Sequence, residues 1–106
     1  MLPVLTPEQR ADALLKAAAA RVKRAEVKNR LKRGTTTLEA VIKDAATDDT
    51  IGKMKVTAVL QAMPGVGKVR AGQIMERLGI AESRRIRGLG DKQRAALEAE
   101  FATVTA

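Results

Sequence analysis

A proline, two glycines and a lysine follow one another in residues 63–68, which lie between two apolar stretches. Pro64 ends the preceding helix, because the residue before a proline avoids the helical region. Gly65 and Gly67 permit a tight turn with positive φ and an uncovered backbone. The next helix then begins with N–H groups that have no partner, at the positive end of its dipole, where anions bind. With the ammonium group of Lys68 beside them, this turn is predicted to bind phosphate.

The same stretch, followed by Ala71 and Ile74, resembles the helix-hairpin-helix motif, which holds a DNA backbone without reading its sequence. In that arrangement Val66 is expected to point into the core, and the free N–H groups are those of residues 67–69. The alternative is an ordinary corner between two helices that ends in Pro-Gly. A Walker-type nucleotide loop is excluded, because its spacing and its preceding strand are absent.

A second basic turn, residues 83–90, combines two aliphatic side chains with three arginines. The spacing of Ile86 and Leu89 predicts that they anchor the turn in the core and leave the arginines outside. Arginine suits such a turn, since its planar guanidinium binds phosphate in bidentate fashion and enters narrow DNA grooves. The alternative is that the arginines cover helix ends, and at least one of them is expected to have such a structural part.

The composition of the 106-residue chain removes several classes of chemistry. It contains no His, Cys, Trp or Tyr and one Phe. Zinc sites built on Cys or His, a His-based catalytic triad, a Cys nucleophile and a disulfide are therefore excluded. Stacking of unpaired bases has one candidate ring, Phe101, which favours a duplex over a single strand as the partner. We expect no metal, no cofactor and no catalytic residue.

The net charge of +8 is unevenly distributed along the chain. Residues 1–33 carry nine basic and three acidic side chains, and residues 53–90 carry eight and two. Between them, residues 34–52 carry one basic and four acidic side chains. Two basic segments separated by an acidic one predict two separate surfaces that contact a polyanion, and nucleic acid is the expected partner. The alternative is a solvated basic surface that only aids solubility.

Apolar residues recur at helical spacing along the chain, and no stretch alternates with the period of a strand. We therefore predict an all-α fold in which a long N-terminal helix precedes a compact core of about five helices. Residues 1–34 form the basic helix and residues 35–106 the core, within one structural domain. The predicted helices run from Pro7 to Arg33, from a Thr36 capping box to about Ala46, briefly around Ile51, from Val56 to Pro64, from Lys68 to Gly79 and from Asp91 to Ala102.

The long helix is predicted to begin with Thr6 as its cap and with Gln9 completing a capping box. Its apolar stripe is thin and rich in alanine, with Leu14 and Val22 as the largest members. Beyond Val22 the helix is mostly charged, and this distal part is expected to project from the body or to lie on a partner. In the helix after the hairpin, the side chains expected in the core are Val69, Ala71, Ile74, Met75 or Leu78.

The first residues lack the basic cluster of a signal peptide, and no uncharged run is long enough to span a membrane. The absence of cysteine suits a reducing compartment. We therefore expect a cytoplasmic protein that has no membrane partner.

The order of these parts resembles the actinobacterial integration host factor family over nearly the whole chain. The resemblance rests on the long basic helix, Gly-Lys-Met-Lys-Val at residues 52–56, the hairpin, and Arg-Arg-Ile-Arg-Gly-Leu-Gly-Asp at residues 84–91. It implies a monomeric nucleoid-associated protein with a helix-two-turn-helix core, several copies of which bind along duplex DNA with little sequence preference. It also implies that the protein bends DNA and influences supercoiling.

The resemblance assigns DNA contacts as well. Three segments would hold the DNA backbone: the hairpin, the arginine turn and residues 52–56. Their contacting residues would be Lys53, Lys55, Gly65, Val66, Gly67, Lys68, Arg70, Arg84, Arg85, Arg87 and Gly88. The basic face of the long helix would touch a neighbouring DNA segment through Arg21, Lys23, Arg24, Lys28, Lys32 and Arg33.

Three other functions compete with this one. An RNA-binding protein of the ribosomal type would use the same kind of core, but such proteins carry long basic tails, and residues 103–106 are uncharged. An enzyme of the DNA glycosylase type would need a catalytic domain or a free N-terminal proline, and Pro3 lies behind Leu2 in an amide. No enzyme is therefore expected. A helical partner-binding protein would pair through the long helix, whose apolar stripe is too thin for a convincing coiled coil.

Overall fold

The computed structural model describes residues 4–102, most of which lie in helices. None of these described residues belongs to a β-strand, and one isolated antiparallel bridge joins Lys55 to Arg85. The elements are α1 (Pro7–Arg33), α2 (Leu38–Ala45), α3 (Asp49–Gly52), α4 (Val56–Gln61), α5 (Lys68–Arg77), a 3₁₀ turn (Ile86–Gly88) and α6 (Asp91–Ala102). The predicted all-α fold with a long N-terminal helix is confirmed. The expectations for Pro3 and for residues 103–106 fall outside the described part of the chain.

Short-range hydrogen bonds determine where α1 begins and ends. The Thr6 hydroxyl accepts a hydrogen bond from the Gln9 N–H at 3.1 Å, and the Gln9 side-chain oxygen accepts one from the Thr6 N–H at 2.9 Å. This confirms the predicted capping box. Gly34 ends the helix in the left-handed conformation, with φ of 74°.

The cap of α2 lies one residue later than predicted. The hydroxyl of Thr37 accepts a hydrogen bond from the Ala40 N–H at 3.1 Å, so Thr37 is the cap and the prediction of a capping box on Thr36 is wrong. Leu38, which follows directly, is buried in the core. Its burial sets the register of the helix and therefore decides which threonine caps it.

One apolar core holds the helices together. Its most deeply buried large side chains come from α1, α4, α5 and α6, and they are Leu31, Val56, Val59, Leu60, Met75 and Leu97. Removal of the apolar surface of these side chains from water stabilises the fold. Val66, from the hairpin between α4 and α5, lies in the same core, as predicted. The hairpin is therefore fastened from beneath by its own side chain.

The two halves of α1 differ in burial, and the charged C-terminal half does not project as predicted. The charged C-terminal half is anchored, because Val27 and Leu31 are buried in the core. The apolar N-terminal half projects: Leu14, Leu15 and Val22 are 67%, 71% and 66% exposed. The prediction that the distal part projects is wrong, since two large side chains one turn apart bury more area than an alanine-rich stripe does. Within residues 4–102, no helix is both long enough and apolar enough to cross a membrane.

Helix α5 directs Val69 away from the core. Ala71, Ile74 and Met75 are buried as predicted, whereas Val69 is 74% exposed. The three buried positions follow one another at the i, i+3, i+4 spacing of a single helix face, and Val69 lies on the opposite face. The expectation that Val69 is buried is wrong for this reason.

Candidate nucleic-acid interface

The hairpin between α4 and α5 requires glycine at one of its two glycine positions. Gly65 has φ of +74°, which side chains with a Cβ rarely adopt. Gly67 has φ of −89°, which is open to any residue, so the expectation of positive φ is wrong there. A Cβ placed at Gly67 would meet no atom within 4 Å. The fold does not require glycine at position 67, and the backbone there stays open to an approaching ligand.

The first turn of α5 presents its backbone amides to that open space. The Ala71 N–H donates to the Gly67 carbonyl at 2.9 Å, so the amides before it precede the first bond of the helix. No side chain of the described residues caps this end. The exposed Lys68 stands beside the free amides. A phosphate oxygen could therefore accept hydrogen bonds from the backbone and pair with an ammonium group at one place.

The arginine turn is attached to the segment that precedes α4. Ile86 and Leu89 are buried, which confirms that they anchor the turn. The Val56 N–H donates to the Arg84 carbonyl at 3.0 Å, and the Ile86 N–H donates to the Met54 carbonyl at 2.9 Å. These two bonds join segments about thirty residues apart and bring Lys53 and Lys55 next to the predicted arginines.

Each of the three arginines also makes a contact within the chain. Arg84 donates to the Gly88 carbonyl at 3.1 Å, and Arg85 donates to the Lys53 carbonyl at 2.5 Å. Arg87 lies 3.7 Å from the Asp49 carboxylate. This confirms the expectation that at least one arginine has a structural part. All three side chains are exposed, and a guanidinium has five N–H donors, so each retains donors for a phosphate.

The two predicted basic surfaces meet in one groove. Arg24 and Lys28 of α1 line a groove of about 360 Å³ together with Lys53, Lys55 and Arg85 of the core. The expectation of two separate surfaces is therefore wrong for these residues. They converge because the buried C-terminal half of α1 lays its basic face beside the segment that leads into α4. Met54 and Ala58 complete the lining of the groove.

Two further grooves continue this surface across α4. Lys28 and Lys32 line one of about 300 Å³, and Lys55 and Lys68 line another of about 800 Å³. Both grooves are also lined by Thr57 and Gln61 of α4. We call the combined surface the cationic groove, and its basic residues are Arg24, Lys28, Lys32, Lys53, Lys55, Lys68 and Arg85.

Thr57 and Gln61 were not predicted from the sequence as interface residues. They lie one turn apart, and the Gln61 side-chain amide donates to the Thr57 hydroxyl at 3.0 Å. The sequence signal that could have found them is that they form the polar side of α4, away from the buried Val56 and Val59. That side becomes part of the cationic groove only because the lysines of α1 and α5 border it. Asn29, on α1, joins the lining of the same groove and was missed for the same reason.

Comparison with known proteins identifies the family to which this arrangement belongs. A family model for the S13-like H2TH domain matches residues 31–101. The integration host factor of Streptomyces coelicolor is 69% identical over 100 residues, which cover 94% of each chain. The integration host factor of Mycobacterium tuberculosis is 63% identical over 100 residues, which cover 94% of this chain and 95% of that one. This chain belongs to the actinobacterial integration host factor family.

A solved structure described as sIHF bound to an 8bp palindromic DNA is also similar to this chain. The two chains are 67% identical with a TM-score of 0.80, and the match covers 81% of this chain and 97% of that one. The H2TH match runs from the last turn of α1 through most of α6, so the predicted helix-two-turn-helix core is confirmed. The relatives that show the family are named as integration host factors and not as enzymes, which agrees with the prediction.

The structure places the remaining predicted residues differently. Arg21 is exposed on the same face of α1 as Arg24, one turn away. Lys23 lies on another face and pairs with Asp48 at 2.5 Å, and Arg33 is exposed but lines none of the three grooves. Arg70 is exposed on α5. Of the predicted helix residues, Arg21, Lys23 and Arg33 therefore do not line the cationic groove, and Arg21 lies next to it on the face of Arg24.

The pair of Lys23 with Asp48 perturbs both ionisable groups. The hydrogen bond from Lys23 holds the pKa of the Asp48 carboxyl below its ordinary value, with support from the Ile51 and Thr50 N–H groups. The same bond and the Asp48 charge raise the pKa of the Lys23 ammonium. Both shifts favour the charged forms, so the pair is fully ionised at neutral pH.

Proposed function

We propose that this protein is a nucleoid-associated, duplex-DNA-binding protein that holds the phosphate backbone with little sequence specificity. It bends or bridges DNA and thereby influences supercoiling. The observation that carries the proposal is the cationic groove, in which basic side chains from α1, the segment before α4, the first turn of α5 and the arginine turn converge. The DNA-bound state of a 67% identical relative supports duplex DNA as the partner.

The lining of the groove favours contacts with phosphate over contacts with bases. Among the described residues, Glu82 is the one acidic side chain that lines any of its three parts. Five lysines and two arginines supply the charge of the groove, and such side chains bind phosphate oxygens at any sequence. The proposed interface comprises Lys53, Lys55, Gly65, Gly67, Lys68, Arg70, Arg84, Arg85, Arg87 and Gly88, with Val66 supporting the hairpin from the core and Arg21, Arg24, Lys28 and Lys32 extending it along α1.

The shape of the surface supports bending of a single duplex. The basic face of α1 from Arg21 to Lys32 extends about 16 Å at 1.5 Å per residue, and the groove continues from there to the hairpin. A duplex that bends toward the protein can reach more of these groups at once than a straight one that contacts a single element. Bending costs a few kcal/mol by elastic estimates, and the added phosphate contacts offset it. We propose that monomers act in this way, in several copies along the DNA, in the nucleoid of the cytoplasm.

Ring closure of short DNA tests the proposal. Duplexes of about 100 bp, below the persistence length, are ligated with increasing protein, and topoisomerase-relaxed minicircles are then resolved by linking number. The proposal expects faster closure and a shifted distribution of linking number. Unchanged closure at saturating protein would refute bending. Competition of the labelled duplex by duplex RNA distinguishes the RNA-binding alternative, which expects RNA to compete as well as DNA or better.

A further inference from the structure

Two neighbouring acidic residues on the edge of the basic surface have different partners. Asp48 precedes α3 and Asp49 is its first residue, so both belong to the acidic segment between the two basic ones. The Asp48 carboxylate faces Lys23 of α1, at 2.5 Å. The Asp49 carboxylate faces Lys53 at 3.2 Å and Arg87 at 3.7 Å, both in the proposed interface. One carboxylate therefore holds a helix, and the other holds two proposed phosphate ligands.

Asp48 fixes α1 at a point that the core does not reach. Val27 is the first residue of α1 that is buried, and Lys23 lies one turn before it. Among the described residues, the pair of Lys23 with Asp48 is the ion pair that joins α1 to another element. Asp48 is itself held, since its carboxylate accepts hydrogen bonds from the Thr50 and Ile51 N–H groups at 3.0 and 3.4 Å.

The rotation of α1 decides where its basic face points. Arg24 follows Lys23 and therefore lies roughly 100° around the helix from it. With Lys23 held against α3, Arg24 faces the groove that contains Lys53. Lys28 lines the same groove but follows the buried Val27 directly, so the core holds it in place. Loss of the pair leaves the part of α1 before Val27 free to tilt. Arg24 would then lose the position at which it acts together with the core.

Asp49 opposes binding in a direct way. Its side chain is 75% exposed, and in the free protein it forms ion pairs with Lys53 and Arg87. A phosphate that binds these cations must displace the carboxylate or tolerate it nearby. Exposed ion pairs of this kind are weak, so their release costs the complex a small factor in affinity, at most about fivefold.

We propose that Asp48 is a positioning residue that supports DNA binding, whereas Asp49 is an internal competitor of phosphate that limits it. This inference rests on the proposed function. It predicts effects of opposite sign from two substitutions that change the net charge equally. Long-range attraction to DNA depends on net charge and would make both substitutions favourable.

The test compares Asp48→Asn, Asp49→Asn and Asp12→Asn by fluorescence anisotropy on a labelled duplex at low salt. Asp12 pairs with Lys16 at 3.0 Å on the projecting half of α1, so its variant is a control for charge alone. Asparagine still caps a helix, so Asp48→Asn removes the charge of the pair while it keeps the cap of α3. We expect binding about threefold weaker for Asp48→Asn and about threefold tighter for Asp49→Asn, the size of exposed ion-pair effects.

A distance measurement separates positioning from a general loss of structure. The chain contains no cysteine, so spin labels can be attached at cysteines introduced at the exposed Ala17 and Ala46. The distribution of distances between the labels should broaden in Asp48→Asn and stay narrow in Asp49→Asn. Lys23→Met combined with Asp48→Asn should weaken binding no more than Lys23→Met alone, because either change removes the same pair.

Three outcomes overturn the inference while the proposed function stands: tighter binding by Asp48→Asn, weaker binding by Asp49→Asn, or an unchanged distance distribution in Asp48→Asn. Failure of the unsubstituted protein to bind duplex DNA would instead refute the proposed function. Circular dichroism melting of each variant verifies that affinities are compared between folded proteins.

Discussion

Arg85 and Lys53, thirty-two residues apart, are joined by a hydrogen bond from the Arg85 guanidinium to the Lys53 carbonyl at 2.5 Å. The bond closes the arginine turn onto the segment before α4, where an antiparallel bridge between Lys55 and Arg85 lies next to it. Arg85 therefore fixes the place of the lysines with one donor and keeps its other donors for phosphate. Substitution can separate the two roles of Arg85, which are to hold the turn in place and to bind phosphate.

Replacement of Arg85 by Ala should weaken binding to all duplex sequences by about the same factor, roughly tenfold. It should also make the slope of log K against log salt shallower by about 1, the contribution of one phosphate contact. The reason is that phosphate contacts position the protein and carry no sequence information. Loss of the bond to Lys53 should also lower the free energy of unfolding by about 1 kcal/mol. Arg87→Ala, measured in parallel by titration and urea unfolding, should weaken binding with little change in stability. A loss confined to one sequence would indicate base readout instead.

Binding should depend steeply on salt. Contact with roughly six phosphates predicts a slope near −5 for the logarithm of the association constant against the logarithm of the salt concentration. The slope is obtained from anisotropy titrations at several potassium chloride concentrations, with one duplex throughout. A slope near zero would contradict the role of the cationic groove.

Gly67→Val should impair binding without unfolding the protein. The φ of −89° and the open space around a Cβ at this position permit a side chain, but valine covers the amides of the first turn of α5. We expect binding at least about tenfold weaker, as for loss of charge-assisted hydrogen bonds, and a smaller loss for Lys68→Ala. Gly65→Val is the control for destabilisation of the hairpin, because a side chain at the positive φ of Gly65 strains the fold by about 1–2 kcal/mol. Normal binding by a folded Gly67→Val protein would rule out the backbone site.

Lys28→Gln should weaken binding more than Lys16→Gln does. The two substitutions remove the same charge from the same helix, but Lys28 lines the cationic groove and Lys16 lies on the projecting half, where it pairs with Asp12. We expect a loss of about threefold or more for Lys28→Gln, in proportion to one phosphate contact. Equal losses would mean that α1 acts only through net charge. Parallel titrations at one salt concentration decide between these results.

The stabilisation from the pair of Lys23 with Asp48 should be constant through neutral pH and disappear at both extremes. The lowered pKa of Asp48 means that its contribution is present above the ordinary pKa of 3.8 and is lost as pH falls through the lowered value. The raised pKa of Lys23 means that its contribution is present below 10.5 and is lost as pH rises through the raised value. Melting temperatures of the protein and of Lys23→Met, measured across pH, should differ by a constant amount between about pH 5 and 9 and converge in strong acid. A difference that varies through neutrality would contradict the assignment.

Signals within a few residues of one another were enough to predict most of the helices. The Thr6–Gln9 capping box and Gly34 placed α1 at its observed bounds, because caps are local hydrogen bonds and local backbone conformations. The hairpin around Val66 and the anchoring of Ile86 and Leu89 followed from spacing alone. The family resemblance was likewise carried by short motifs in a fixed order.

The errors arose where the outcome depends on segments distant in sequence. Periodicity cannot say which half of α1 finds a partner, and the burial of Val27 and Leu31 made the charged half the anchored one. Thr37, and not Thr36, caps α2 because the core takes Leu38. In both cases tertiary packing decided between local alternatives of similar energy.

The sequence alone therefore determined an all-helical, strongly basic chain without the Cys and His side chains that zinc sites, thiol nucleophiles and His-based triads need, and a hairpin suited to phosphate. Tertiary structure alone decided that the basic face of α1 meets Lys53, Lys55 and Arg85 in one groove, and that Asp48 and Asp49 hold different partners. The physical reason is the separation along the chain over which each kind of interaction acts. Composition, caps and turns act over one or two helical turns, whereas a charged surface is assembled by the burial of apolar side chains far apart in the chain.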